Sequence, residues 1–191
     1  SLDNYNAIDL VFFINGLPVS TAELKTDFTQ SVDDAIKQYK RDRNPRNAKG
    51  RPEPLLTQKR GAVVHFAMSD SEIYMATELR GDSTVFLPFN KGRDGGAGNA
   101  PNPDGYPVEY FWSEVLERNN WLRIFQRFVF VEKEHKADAQ GRTRTAETRI
   151  FPRYHQWDAV TKIVAAVREE GPGHPYLVAH SAGSGKTKTI T

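Results

Sequence analysis

The apolar positions of this chain change period several times, and each change marks an element. Ile8-Asp9-Leu10-Val11-Phe12-Phe13-Ile14 is an apolar run of strand length, interrupted only by Asp9, and predicts a buried β-strand. Asn15-Gly16 follows. Both residues tolerate positive φ, so a hairpin turn is expected, with Leu17 to Lys25 as the returning strand. Pro18 predicts an irregular or edge start to that strand. The period then lengthens. Ser31 reads as a helix N-cap with Asp34 in a capping-box position, and Val32, Ala35, Ile36 and Tyr39 form one helical face. The helix is expected to end near Asp42, ahead of Asn44-Pro45.

Residues 44–60 read as a polar loop. Gly61–Met68 and Glu72–Leu79 predict a second strand pair around Ser69-Asp70-Ser71, and Val85-Phe86-Leu87 a short strand. Gly92–Pro107, rich in Gly, Asn and Pro, is expected to be irregular. Val108–Val131 reads as two short helices whose aromatic residues, Tyr110, Phe111, Trp112, Trp121, Phe125 and Phe128, pack into the core. Glu132–Arg149 has no periodicity and reads as a linker or an exposed hairpin. Gln156–Glu169 predicts a helix with Trp157, Val160, Val164 and Val167 on one face, and Tyr176-Leu177-Val178-Ala179 a short buried strand.

Composition narrows the class. A chain of 191 residues can bury a real core, as one full domain or two small ones. The absence of cysteine excludes a disulfide scaffold and any Cys-ligated zinc or iron–sulfur site, and fits a reducing compartment. No apolar run reaches the length of a membrane span. The net charge of +2 conceals an uneven spread: residues 33–60 hold nine basic residues against four acidic ones. Such a segment suits a nucleic-acid backbone, although a charge run by itself reads equally as a solvated helix face and loop.

Two patterns carry chemistry. His180-Ser181-Ala182-Gly183-Ser184-Gly185-Lys186-Thr187 follows the predicted strand and precedes a helix start, the setting that a Walker A loop requires. Gly183 and Gly185 would let backbone N–H groups approach the phosphates of ATP, with Ser184 between them. Lys186 would reach the β- and γ-phosphates, and Thr187 would place its hydroxyl on Mg²⁺. The first Gly of the motif is replaced by His180. Upstream, Gln156 is a candidate adenine reader, since its amide can pair with N6 and N7; otherwise it is a polar residue at a helix start. Hydrolysis also needs a later carboxylate strand, so these 191 residues are not expected to turn over ATP.

The second pattern is Asp9 with Glu23-Leu24-Lys25. Strand alternation puts Glu23 and Lys25 on one face. Two carboxylates and a lysine on one sheet face suit Mg²⁺, a hard cation that prefers oxygen ligands. The register decides whether they meet. A strict two-residue turn would pair Asp9 with Ala22, on the wrong face; one extra residue, as a bulge or a longer loop, pairs Asp9 with Glu23. A bulge is therefore expected near Pro18. The alternative for Glu-x-Lys is a solvated surface pair, but a carboxylate inside an apolar run calls for a partner or a metal.

Taken together, Asp9–Pro18, Glu23-Leu24-Lys25, Gln38-Tyr39, Phe86–Gly92, Phe151–Gln156 and the glycine loop resemble the R subunit of type I restriction-modification enzymes. The resemblance implies an α/β PD-(D/E)xK nuclease domain with a central mixed sheet flanked by helices, over 1–131. A linker at 132–150 and the start of a RecA-like helicase domain at 151–191 would follow. It places Asp9, Glu23 and Lys25 on catalytic positions, with Asp9 and Glu23 holding the metal. Tyr39 matches the tyrosine of a helical Gln-x-x-x-Tyr motif whose glutamine position here holds Ala35. It further implies Mg²⁺-dependent cleavage of double-stranded DNA coupled to ATP-driven translocation. The setting would be a cytoplasmic complex with methyltransferase and specificity subunits, from whose R subunit this chain would be an excerpt. Two other readings are a nuclease-fold module that no longer cuts and a P-loop ATPase with an unrelated N-terminal domain.

Overall fold

The computed structural model describes residues 7–137 and 143–180. Its centre is a mixed five-stranded sheet in the order β1 (Leu10–Ile14), β2 (Leu17–Leu24), β3 (Val64–Met68), β4 (Ile73–Ala76) and β5 (Leu87–Pro88). Neighbouring strands are antiparallel except β2 and β3, which run parallel from Ser20↔Val64 to Leu24↔Met68. A parallel pair needs a crossover, and helix α1 (Val32–Asp42) supplies it. The Ser31 N–H donates to the Asp34 carboxylate at 2.9 Å, Asp33 and Asp34 occupy the first turn, and Lys40 and Arg41 the last, in the sense that the helix dipole favours.

Alternation along β3 sorts the core into two layers. Val64, Phe66 and Met68 face one side, where they meet Ile73, Met75, Phe89, Phe111 and Trp121; the Phe66 and Phe111 rings stand edge to face at 4.8 Å. Ala67 faces the other side, onto Val32, Ala35 and Tyr39 of α1 with Leu56 and Leu79. A π-helical turn (Phe111–Val115) and α2 (Arg118–Arg127) cover the first layer. The polar segment after them is the hairpin of the two alternatives: β6 (Phe130–Ala137) pairs with β7 (Thr143–Ile150). Its Glu147 pairs with Lys59, and Arg149 Nη1 donates to the Ala62 carbonyl at 3.0 Å.

Several expectations are corrected. The first strand is a sheet edge with Phe13 59% exposed rather than a buried strand, because among the described residues β1 has a neighbour on one side only. The short strand expected at Val85–Leu87 is β5, two residues later; Pro88, which has no N–H, is tolerated there because β5 is the other edge. Residues 176–179 form no strand and Leu177 is 95% exposed, since no strand among the described residues lies beside them to pair with. Helix α3 (Tyr154–Glu170) begins two residues before Gln156. It buries only its first turns, and Phe151, Tyr154 and Trp157 pack into the first core layer.

Candidate active site

Asn15 and Gly16 both take positive φ, 49° and 80°, and close the tight turn between Ile14 and Leu17. The ladder runs regularly through Phe13↔Pro18 and then shifts: Phe12 pairs with Ser20, so Val19 is the extra residue of a β-bulge. This is the irregularity expected near Pro18. From Phe12↔Ser20 the register runs to Leu10↔Ala22, where the ladder ends; Asp9 lies in the bend just before it, close enough to the Glu23 carboxyl for the two to interact. Asp9 Oδ2 accepts the Leu24 N–H at 2.8 Å, which ties the carboxylate to the end of β2. Lys25 continues the strand, its N–H donating to the Met68 carbonyl at 2.8 Å, and its ammonium has no hydrogen bond or ion pair among the described residues.

Glu23 is fully buried on the α1 side of the sheet, beside Ala67 of β3. Its Oε1 accepts the Nε–H of Arg43 at 2.5 Å, and its Oε2 has no hydrogen-bond partner among the described residues. Burial pushes the Glu23 carboxyl above the ordinary glutamate range; the Arg43 guanidinium opposes this and the Asp9 carboxylate adds to it. The buried Glu23 carboxylate is paired with the buried guanidinium while Asp9 beside it is exposed to solvent, and the unpartnered Glu23 Oε2 is the oxygen a cation could take. The donor set fits Mg²⁺, which takes one or two carboxylates and fills its remaining positions with water and phosphate oxygens. Among the described residues no third acidic, His or Cys ligand joins them.

Beneath the pair, Thr21 Oγ1 lies 2.8 Å from the Tyr39 hydroxyl and 2.7 Å from His65 Nδ1. Burial drives the His65 pKa down to about 3, so the ring is neutral, and raises that of the Tyr39 phenol. Tyr39 is thus placed below the carboxylates with no exposed surface, joined to the strand that carries Glu23. Ala35, at the position where the resemblance would put a glutamine, is buried in the second core layer.

On the other side of Arg43 opens a cleft of about 720 Å³, lined by Arg41, Arg43, Arg46 and Lys49 together with Asp42 and Glu53, a net positive lining from the segment after β2. Arg43 belongs to both features. Sequence reasoning counted it only as one charge among nine. The signal that singles it out is its place one residue past the helix that returns to the Glu-x-Lys strand. Of the nucleotide candidates, Gln156 is buried at the start of α3 with its Oε1 accepting the Arg153 N–H at 2.9 Å, a helix-capping contact. Gly183, Ser184, Gly185, Lys186 and Thr187 lie outside the described residues.

A family model described as the type I restriction enzyme R protein N terminus matches residues 2–84, the stretch that holds Asp9, Glu23, Lys25 and Arg43. The chain is also 28% identical, over 197 aligned positions, to a protein of Methanocaldococcus jannaschii described as "Putative type I restriction enzyme MjaVIIIP endonuclease subunit". The alignment covers 95% of this chain and 16% of that relative, so the chain spans about a sixth of its length. No solved structure matches the chain. The resemblance read from the motifs therefore holds: residues 2–84 match the model of the type I restriction enzyme R protein N terminus, and the chain is similar to a protein described as an endonuclease subunit of such an enzyme.

Proposed function

We propose that this chain carries the nuclease centre of a type I restriction enzyme, a PD-(D/E)xK-type site that cleaves double-stranded DNA with Mg²⁺. The observation that supports this most is the bulge, whose shifted register brings Asp9, just past the ladder, close to Glu23, a buried carboxylate with one oxygen unpartnered among the described residues. Asp9 and Glu23 would hold Mg²⁺, which when bound polarises a scissile phosphate and acidifies a bound water. The leucine N–H on Asp9 and the guanidinium on Glu23 fix the two carboxylates before substrate arrives, so little reorganisation is needed during reaction. Lys25, two residues along the strand from Glu23 and without an ion pair among the described residues, orients the attacking water and stabilises the charge that develops as the phosphorus–oxygen ester bond breaks. Arg41, Arg46 and Lys49 hold the phosphate backbone without reading sequence.

In the whole protein, the glycine loop with Lys186 and Thr187 would bind ATP, with Gln156 as the adenine candidate. This would open a RecA-like motor that translocates DNA. Methyltransferase and specificity subunits would be the partners, the latter reading the target. The test is Mg²⁺-dependent nicking of plasmid DNA by the intact protein against Asp9→Ala and Lys25→Ala. Cutting only by the native protein is expected, and equal cutting by all three would remove the nuclease assignment. A second reading, a nuclease fold that binds but does not cut, draws on the Glu23–Arg43 ion pair, which half-neutralises the site without any metal. The same assay, with no cutting by any of the three, would favour it.

A further inference from the structure

The geometry points to Arg43 as the positioning residue that sets the spacing of the Asp9–Glu23 pair. This rests on the metal-dependent cleavage proposed above. Arg43 is the residue at the C-terminal cap of α1 and is almost wholly buried. Its Nε–H donates to Glu23 Oε1 and its Nη2 to the Ala7 carbonyl, each at 2.5 Å. Ala7 lies two residues before Asp9, and Glu23 lies close to Asp9 just past the end of the ladder. One guanidinium therefore clamps the segment that delivers the first carboxylate to the side chain of the second.

The clamp matters because Asp9 sits just outside β1, past the last ladder pair. Among the described residues, this end is held by the Leu24 N–H on the Asp9 carboxylate and the Arg43 fork on Ala7 and Glu23. The fork also fixes the rotation of the Glu23 carboxylate. With Oε1 occupied, Oε2 is the atom left for a cation. A planar guanidinium can serve two acceptors at a set angle, whereas an ammonium of the same charge is a point donor on a flexible stem. Arginine at this position is thus a geometric requirement as well as an electrostatic one, like the outer partners that orient metal ligands elsewhere.

The test is Mn²⁺ binding to the intact protein, followed by electron paramagnetic resonance of the free ion, in native, Asp9→Ala and Arg43→Lys forms. Arg43→Lys keeps the charge and loses the fork. It is expected to weaken Mn²⁺ binding by about 10- to 100-fold, with plasmid nicking partly restored at raised Mn²⁺. A purely structural role would lower the folded fraction while leaving the affinity of folded protein unchanged, and would overturn the inference. If Arg43→Lys folds poorly, Arg43→Gln carries the same measurement, and unchanged or tighter binding in it shows that the guanidinium merely competes with the metal. Native protein that binds Mn²⁺ no better than Asp9→Ala would defeat the nuclease reading itself, separately from the role of Arg43.

Discussion

The Asp9 carboxylate accepts the backbone N–H of Leu24 at 2.8 Å, so the same side chain both closes the foot of the hairpin and lies close to the buried Glu23. The two roles separate in Asp9→Asn. The amide oxygen can still accept from Leu24, but it gives a metal no anionic ligand. We expect thermal unfolding to show a loss of less than about 1 kcal/mol. Mg²⁺-dependent nicking should fall at least about 100-fold, within the range that loss of one electrostatic stabiliser costs. Retained nicking would show that Asp9 holds structure alone.

Tyr39 is the candidate whose placement speaks most directly to its role. Its hydroxyl is buried against Thr21 and reaches no solvent. Tyr39→Phe removes one hydrogen bond while Thr21 keeps His65 as partner. A cost of about 1 kcal/mol is expected in a urea titration, with nicking reduced only a few-fold. A drop of two orders of magnitude in a variant that still binds metal would make Tyr39 part of the chemistry.

His65 ties stability to pH. Its folded pKa, about 3, lies below the ordinary value of 6.5, so on lowering pH the unfolded chain takes up the proton first. This contribution is fully retained above pH 6.5 and is lost progressively as pH falls toward 3, by up to about 1.4 kcal/mol per unit. His65→Asn, which offers Thr21 a polar partner near the Nδ1 position, should flatten that slope. Denaturant midpoints of both proteins at pH 7 and pH 5 check it, and parallel slopes would show that other groups carry the acid sensitivity.

Phe151 tests how far the core extends along the chain. It is 4% exposed, with ring centroids 5.9 Å from Phe66 and 5.9 Å from Phe125. Phe151→Ala should cost about 3–5 kcal/mol, as for other large-to-small changes in a core. Val164→Ala, on the exposed part of α3, should cost less than about 1 kcal/mol. Similar losses from the two substitutions would contradict this packing.

The cleft makes a prediction about salt. Each phosphate neutralised by a basic residue contributes about 0.9 to the slope of log binding constant against log salt concentration. Arg41→Ala and Lys49→Ala should each lower that slope by about one, for any duplex sequence alike. Titrations of labelled duplexes at several salt concentrations measure it, and a change confined to one sequence would point to base reading instead.

Most of the first half of the fold was legible because single residues announce it. Asn15-Gly16 fixes the turn, Ser31 and Asp34 the helix start, and Asn44-Pro45 its end. The bulge was inferable because only an extra residue brings Asp9 to Glu23. The hairpin β6–β7 was ambiguous because its strands are polar on both faces, so no apolar period distinguishes a ladder from a linker. The expected strand at 176–179 had the right composition, but strand formation depends on a neighbour that local sequence does not supply. Arg43 was hidden for a related reason. Its importance lies in two acceptors, at Ala7 and Glu23, that come close only once α1 has crossed the sheet.

The bulge at Val19 has a consequence in the arithmetic of spacing. In a regular hairpin closed by two residues, facing partners are always separated by an even number of residues. Asp9 and Glu23 are separated by an odd number. With this turn their meeting is therefore forbidden to an ideal ladder and possible only where the strand departs from ideality. Parity, rather than the identity of any residue between them, decides whether the two carboxylates come together or turn their backs on each other.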